Sequence, residues 1–291
     1  MQWTPGGNSS DIEDRRSEGG GGGGFNFGGF GGMHLGLGGI IILLILSVVF
    51  RVDLFSVFSG GPSEPAPSRP LTEADRSAGA NSDREVQFVS FVLDDVQHTW
   101  ERLLPEQAGV PYRHAKLVLF RDYTDGGCGT AQTATGPFYC PVDEKVYVDL
   151  SFFDELRTHF GAPGEFAQAY VIAHELGHHV QKILGIEQQV SSLRRRDPSQ
   201  ANPLSVKLEL QADCLAGVWG HSTEQRKIVD STDIAEGLRA AASVGDDRLQ
   251  RMATGHVSPE TFTHGSSAAR TAAFQGGMEA GQIGACGINA R

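Results

Sequence analysis

Apolar side chains recur along the chain in two spacings, and the order of these spacings predicts the fold class. Apolar residues three or four positions apart predict an amphipathic helix over 84–104. Residues 116–120 and 146–150 are short apolar runs rich in β-branched and aromatic residues, which is typical of buried strands. The helical spacing then returns, and it predicts helices over 151–160, 165–184, roughly 203–221, 233–245 and 267–280. Strands followed by helices indicate an α+β domain, with a small sheet plus helices.

The N-terminal part of the chain lacks these patterns, apart from one apolar stretch. Residues 1–32 are dominated by glycine, and this composition predicts a disordered tail. Residues 35–50 carry no charge and, with their neighbours, make the segment 33–58 long enough to cross a bilayer, which takes about 20 mostly apolar residues. Residues 59–83 are rich in Gly, Pro, Ser and Ala, which is typical of a linker. The sequence therefore predicts one transmembrane anchor ahead of a folded domain over 84–291.

The apolar segment has two other interpretations, a buried core helix and a cleaved signal peptide. A core helix has at least one polar face, which residues 35–50 lack. A signal peptide lies nearer the start of a chain and ends at small residues, whereas Arg51 and Asp53 follow this segment. We therefore expect an uncleaved, single-pass anchor. Arginines lie on both sides of it, so the positive-inside rule is ambiguous about its orientation.

The charge of the chain argues against one class of partner. Its 291 residues include 24 Lys and Arg against 35 Asp and Glu, for a formal net charge of −11. A surface of this sign repels phosphate backbones, and no Lys/Arg-rich stripe offsets it. We therefore expect no nucleic-acid partner.

The four cysteines bear on the compartment. None belongs to a CxxC pair, so a structural zinc knuckle is not expected. An even count suits two disulfides in an oxidising compartment, although four buried thiols would give the same sequence. We predict a disulfide between Cys128 and Cys140, whereas the pairing of Cys214 and Cys286 stays open. Together with the arginine pair at 15–16 ahead of the anchor, the expected disulfide favours a periplasmic or other extracytoplasmic location for the domain.

The chemistry is indicated by the HExxH motif that begins at His174. His174 and His178 are four residues apart on a predicted helix, so both imidazoles can reach one ion, and Zn²⁺ suits imidazole nitrogen. Glu175 follows the first histidine and can act as a general base. It would take a proton from a zinc-activated water and pass it to the leaving amine of a cleaved peptide bond. The motif predicts a zinc-dependent endopeptidase that acts on a protein or peptide.

A catalytic zinc site also needs a third protein ligand and an open position. The metzincin spacing would place this ligand at position 184, which holds Leu184. Glu209 and Asp213 share a face of a later helix, so we predict Glu209 as the third ligand and Asp213 as the acceptor of a ligating histidine's second N–H. Asp213, His221 and His264 remain other candidates for the ligand. An exposed acidic helix face is the alternative interpretation of the Glu209–Asp213 pair.

Two further parts of a peptidase site have candidates in the sequence. His264 could donate a hydrogen bond to the oxyanion that forms on attack, with Tyr139 and Tyr147 as rivals for this role. His264 could equally pair with Asp213 or with a helix end. Zincins commonly hold a peptide along a sheet edge, and residues 146–150 are our candidate for that edge.

The motifs around the predicted site resemble two known families. The HExxH motif with the later ExxAD motif is similar to that of membrane gluzincins of the CAAX-prenyl-protease type. His264 with Arg270 six residues later also matches that type, although Gly265 stands where those proteins usually have Pro.

A closer resemblance is to a bacterial family described as putative neutral zinc metallopeptidases. The similarity extends over nearly the whole chain, in blocks at Trp3, 14–16, the apolar segment, 127–129, 136–141, 146–150, 173–175, 209–214, 217–220 and 262–265. This resemblance implies a zincin-like metallopeptidase domain with one membrane segment, and it leaves the substrate open.

Three functions are compatible with these features. The first is a membrane-anchored zinc metallopeptidase. The second is a catalytically silent zincin-like domain that binds a membrane or envelope protein, and the third is a scaffold whose anchor is the functional part. The intact Glu175 favours the first of these.

Overall fold

The computed structural model describes residues 1–18, 73–132 and 136–288. The chain divides into two compact units, one made of Met1–Gly21 with Ala80–Arg291 and the other of Gly22–Gly79. Of the second unit only residues 73–79 are described, and they are helical. The predicted anchor, residues 33–58, lies outside the described residues. Within the described residues, no helix is both long enough and apolar enough to cross a bilayer.

The main sheet of the first unit has four strands. It contains β1 (Ile12–Asp14), β2 (Lys116–Phe120), β5 (Phe138–Cys140) and β6 (Lys145–Asp149), in the spatial order β1-β2-β6-β5. The first three strands of this order run parallel, and β5 is antiparallel to β6. A separate antiparallel hairpin is formed by β3 (Tyr123–Gly126) and β4 (Gly129–Gln132).

The apolar runs of β2 and β6 are continuous because both faces of these strands are buried. Leu117 and Val146 point into the main hydrophobic core. Val118 and Tyr147 point to the opposite face, into a smaller apolar cluster that includes Ala131 of the hairpin. Strands that are buried on both faces are expected to lack alternation of polar and apolar residues.

Eight α-helices in the described residues complete the fold. They are α1 (Glu73–Ala108), α2 (Ser151–Thr158), α3 (Glu165–Ile183), α4 (Ile186–Arg196), α5 (Ala201–Gln225), α6 (Ser231–Ser243), α7 (Asp246–Thr254) and α8 (Ser267–Ala280). The predicted α+β class with a small sheet is confirmed. Helix α1 begins at Glu73, so the last part of the predicted linker, 73–83, is helical instead.

The first 18 residues also differ from the prediction of a disordered tail. Strand β1 pairs with β2, and the Trp3 ring packs edge-on against Phe88 of α1, with 5.3 Å between the ring centroids. The glycine-rich composition belongs to residues 19–32, whereas residues 1–18 contain apolar and charged side chains with partners in the domain. The composition of 1–32 as a whole is dominated by the glycines of 19–32, so it does not represent residues 1–18.

Two features fix the position of α5, which carries Glu209 and Asp213. Glycines let α5 approach α8 closely, because a Cβ at Gly277 would lie 1.9 Å from the carbonyl oxygen of Cys214. A disulfide joins Cys214 to Cys286 near the end of the described chain. A second disulfide joins Cys128 to Cys140, as the sequence predicts, and it connects the β3–β4 hairpin to strand β5.

Candidate metal centre

The HExxH motif lies in the middle of α3, which is buried along most of its length. His174 and Glu175 are 6% and 7% exposed, and the neighbouring apolar residues of the helix belong to the main core. The rings of His174 and His178 lie one turn apart, with 4.9 Å between their centroids. A helix held on most sides by the core keeps both imidazoles in fixed directions, as a metal site requires.

Helix α5 brings the predicted carboxylates to this face of α3. It can approach closely because the residue between the two histidines that faces α5 is a glycine. A Cβ at Gly177 would lie 3.0 Å from the carbonyl oxygen of Ala212, so a side chain there would push α5 away. With Gly177 in place, Oε2 of Glu209 lies 3.2 Å from Nε2 of His174. Its Oε1 lies 3.5 Å from Nε2 of His178.

Three donor atoms therefore converge. One atom from each of His174, His178 and Glu209 lies within 4.8 Å of the others, which is the spacing of ligands around one ion. Both imidazoles have a partner on the other ring nitrogen: Nδ1 of His174 lies 2.8 Å from Asp213, and Nδ1 of His178 lies 2.8 Å from Oε1 of Gln181. In the form that binds a metal ion, we place the protons on these Nδ1 atoms, so both Nε2 lone pairs face the Glu209 carboxylate. Lone pairs that face each other at this distance are stabilised by a shared cation, and two imidazoles with a carboxylate fit Zn²⁺.

Asp213 is fully buried at the centre of a polar network. Its Oδ1 accepts hydrogen bonds from the hydroxyl of Tyr170 and from Nη2 of Arg270. Its Oδ2 accepts a hydrogen bond of 2.8 Å from Nε of Arg270, which is itself 4% exposed. This bidentate ion pair neutralises the carboxylate that is hydrogen-bonded to His174, and a buried charge needs such compensation.

Arg270 and Tyr170 are the parts of this network to which the sequence assigned no role. The spacing between His264 and Arg270 is part of the resemblance to the CAAX-prenyl-protease type, but it gives the arginine no role. No local pattern links Arg270 to Asp213, 57 residues earlier. Tyr170 lies one turn before His174 on the same helix, so its spacing was the available signal.

The carboxylates make this site favourable for positive charge. Burial lowers the pKa of His174, but the charge and hydrogen bond of Asp213, with the hydrogen bond of Glu209, outweigh it and raise the pKa to about 10. Burial likewise tends to raise the pKa of Glu209, but His178 and His174 hold it well below its usual range. The site is thus arranged to hold a cation, which a proton or a metal ion can supply.

Glu175 has a different environment from Glu209. Burial raises the pKa of its carboxyl to about 7, against the opposing charge of His174 and a backbone hydrogen bond from Tyr139. A carboxyl with a pKa near neutrality can both accept and return a proton, which is the property expected of a general base.

A cleft of about 440 Å³ opens over these groups. Glu175, the three donor residues and Arg270 contribute polar groups, whereas most of the remaining wall is apolar. The other lining residues include Pro137, Phe138, Tyr139, Phe152, Val171, Leu208, Val244, Leu249 and His264. A concave, largely apolar site with a few convergent polar groups is the usual form of a substrate site.

The other predicted candidates are found in different places. His264 lies at the cleft, half-exposed, with Nδ1 3.1 Å from Oδ1 of Asp246. The other oxygen of Asp246 accepts three consecutive backbone N–H groups, at 263–265, and so fixes this loop. Tyr139 also lines the cleft, and its hydroxyl lies 2.9 Å from Nδ1 of the buried His179.

Tyr147 and His221 lie elsewhere. The Tyr147 hydroxyl donates to Asp143 on the far face of the sheet, and His221 contacts the main-chain oxygen of Met278. Neither residue lines the cleft.

The predicted substrate edge is wrong. Strand β6, which covers most of 146–150, lies between β2 and β5 and is therefore internal. The edge beside the candidate metal centre is β5, whose residues Phe138 and Tyr139 line the cleft. The longer and more apolar run indicated a strand correctly, but the edge position depends on β5, which is too short to be recognised from its sequence.

Fold and site together define an α+β protein with an HExxH motif in a candidate metal centre built on two neighbouring helices. The chain belongs to the family described as "Putative neutral zinc metallopeptidase", whose sequence profile matches residues 1–288. The uncharacterized protein YpfJ of Escherichia coli K12 is 43% identical over 290 residues, which cover 98% of each chain. The uncharacterized protein Rv2575 of Mycobacterium tuberculosis H37Rv is 39% identical over 256 residues, covering 82% of this chain and 84% of its own. No solved structure matches the chain, so the zincin-like fold stays a prediction.

Proposed function

We propose that this protein is a zinc metalloendopeptidase that hydrolyses peptide bonds of protein or peptide substrates in the cleft over α3. The observation that carries the proposal is the convergence of His174, His178 and Glu209 beside a buried carboxyl, Glu175, whose pKa is raised to about 7. Three protein donors with access to a cleft match a catalytic zinc site, whereas a structural zinc site has four protein ligands.

His174, His178 and Glu209 would hold the ion. A zinc ion in this position would act as a Lewis acid that polarises a peptide carbonyl and lowers the pKa of a water molecule. Asp213 accepts a hydrogen bond from Nδ1–H of His174 and so would keep Nε2 directed at the ion, while Arg270 compensates the charge of Asp213. Gln181 has the corresponding role for His178.

Glu175 is the proposed general base. Its ionised carboxylate would take a proton from the attacking water and then give it to the leaving amine. At the cleft, His264 is positioned by Asp246 and would donate a hydrogen bond to the developing oxyanion. The substrate backbone would lie along the edge of β5, and the apolar wall favours substrates with apolar side chains next to the cleaved bond.

We also propose an extracytoplasmic location for the domain, with membrane attachment through residues 33–58. All four cysteines are paired in two disulfides, and structural disulfides persist in oxidising compartments such as the periplasm. The membrane attachment rests on the charge-free stretch 35–50.

Replacement of the proposed base tests this function. Glu175→Gln in the full-length protein should abolish peptide hydrolysis, while metal analysis should still find zinc at the level of the unaltered protein, because Glu175 is not a ligand. The conservative change Glu187→Gln, at the rim of the same cleft, is the matched control and should keep activity. Unchanged turnover in Glu175→Gln would exclude the mechanism. Zinc content without turnover in the unaltered protein, against peptide libraries, would favour the catalytically silent alternative.

A further inference from the structure

The N-terminal 18 residues are built into the same domain as the metal centre. Strand β1 pairs in parallel with β2, with Ile12 opposite Leu117 and Asp14 opposite Leu119. The ladder continues beyond the strand, because the backbone N–H of Arg15 donates to the carbonyl oxygen of Leu119 at 2.8 Å. Main-chain pairing of this kind requires the two segments to lie about 5 Å apart.

Side chains on both sides of β1 fasten it to the domain. Asp11 is 9% exposed. Its carboxylate lies 3.0 Å from Nε2 of Gln97 on α1, 2.5 Å from Nδ1 of His114 and 2.8 Å from Nζ of Lys116. In the middle of β1, Glu13 pairs with Lys145 of β6 at 2.7 Å. These are partly buried contacts with three separate elements, so residues 1–18 form part of the domain's own structure.

This arrangement conflicts with a single membrane crossing. Residues 1–18 precede the apolar segment 33–58, and residues 80–288 follow it, so one crossing would put β1 and β2 on opposite sides of the bilayer. The hydrocarbon core is about 30 Å thick, and a β-ladder cannot form across it. Two crossings would return the chain to the same side, but they need about 40 mostly apolar residues, whereas 33–58 has room for one span.

We propose that residues 1–18 lie on the same side of the membrane as the candidate metal centre, because strand β1 pairs with β2 of the main sheet. This differs from the single crossing expected from hydropathy. The inference rests on the membrane attachment proposed above, and it does not depend on the peptidase activity.

Cysteine labelling can test this proposal, because no free cysteine is found among the described residues. Ser17→Cys places a thiol at an exposed position beyond β1, and Met252→Cys places one on α7, where the native side chain is 56% exposed. Each single variant of the full chain would be treated in intact cells, and again after permeabilisation, with a maleimide that does not cross membranes. We expect both thiols to give the same result, either labelled in intact cells or protected until permeabilisation. Labelling of one in intact cells, with the other protected, would overturn the proposal.

A cross-link provides a second measurement. Oγ of Ser9 lies 2.6 Å from Oδ1 of Asp94, so the double variant Ser9→Cys/Asp94→Cys should form a disulfide in isolated membranes under oxidation. The two single variants are the controls and should stay uncross-linked within the chain. Only a cross-link within one copy counts, because links between two copies can join like positions, 9 to 9 or 94 to 94, whichever side each position occupies. Absence of any cross-link, together with opposite labelling of Ser17→Cys and Met252→Cys, would establish a crossing.

Discussion

At the residue scale, the site separates two carboxylates by role. Glu209 faces two imidazoles and is held ionised, whereas Asp213 is shielded behind His174 and compensated by Arg270. Both residues lie on one face of α5, one turn apart, so a single helix supplies one proposed ligand and the group that orients another proposed ligand.

Zinc affinity should distinguish these two roles. Glu209→Ala removes a proposed ligand and should lower zinc affinity strongly. Asp213→Asn keeps an acceptor near His174 and should cost less, on the order of 10–100-fold in affinity or activity. Competition with a chelator measures both. Retention of full zinc affinity by Glu209→Ala would assign the third ligand to another residue.

The contact between Asp11 and His114 should make stability depend on pH. Burial lowers the pKa of His114, but hydrogen bonds with Asp11 and Glu101 raise it above the ordinary value of 6.5. A raised pKa contributes stability that is fully present below pH 6.5 and is lost as the pH rises through the folded-state pKa. Nζ of Lys116 also contacts Asp11, at 2.8 Å from Oδ1.

His114→Gln therefore should remove part of this dependence. The unaltered protein should lose stability on going from about pH 6.5 to alkaline pH, and the variant should lose less, by up to about 1 kcal/mol because the pair is partly exposed to solvent. Thermal melts over a pH series measure the difference. If stability falls equally with pH in the two proteins, protonation of His114 is not linked to folding.

At the element scale, the position of α5 depends on its close approach to α8. Gly277 faces the backbone of α5, whereas Gly276, its neighbour on α8, has nothing within 4 Å of the place where a Cβ would stand. Gly277→Ala should destabilise the protein by about 1–3 kcal/mol through overpacking. Gly276→Ala is the matched control and should be neutral or stabilising by up to about 1 kcal/mol, because Ala favours helix.

Melting temperatures of the two variants test this prediction. Gly277→Ala should also bind zinc more weakly, since Glu209 lies on the displaced helix. Equal melting temperatures would mean that α8 moves aside without cost and does not fix α5.

The elements of the site were predictable to the extent that their signals are local. Helix α3 and the pairing of His174 with His178 follow from spacing within one helix, and the Glu209–Asp213 face follows in the same way. Arg270 and Asp246 could not be assigned, because their partners lie on other elements and only the packed structure brings them together. Strand β1 could not be predicted, because three residues are too few to show the alternation of polar and apolar side chains that marks a strand.

At the scale of the whole molecule, the disulfides connect distant parts of the domain. The Cys214–Cys286 bond has a sequence separation of 72 residues, and the Cys128–Cys140 bond one of 12. Loop-closure entropy gives roughly 4 kcal/mol for the longer loop and roughly 3 kcal/mol for the shorter. The longer bond should therefore contribute more to stability.

Two double variants measure these contributions. Cys214→Ala/Cys286→Ala should lower the melting temperature more than Cys128→Ala/Cys140→Ala, and it alone should weaken zinc binding, because Cys214 adjoins Asp213. A larger loss in the second variant would show that strain or local packing, and not loop length, decides the contribution of each bond.

The parallel pairing of β1 with β2 also sets an order of events during synthesis. Asp11 and Lys116, which meet beside this pair, are 105 residues apart, so the N-terminal segment is made long before its partner exists. At about 5–20 residues per second, the ribosome needs roughly 5–20 s to supply β2. During this interval the first residues have nothing to pair with, and they must reach the compartment of the domain before the sheet can close. In the extracytoplasmic location proposed above, the N-terminus must be exported before the sheet can close, and a delay there would leave β2 as an unpaired edge open to aggregation.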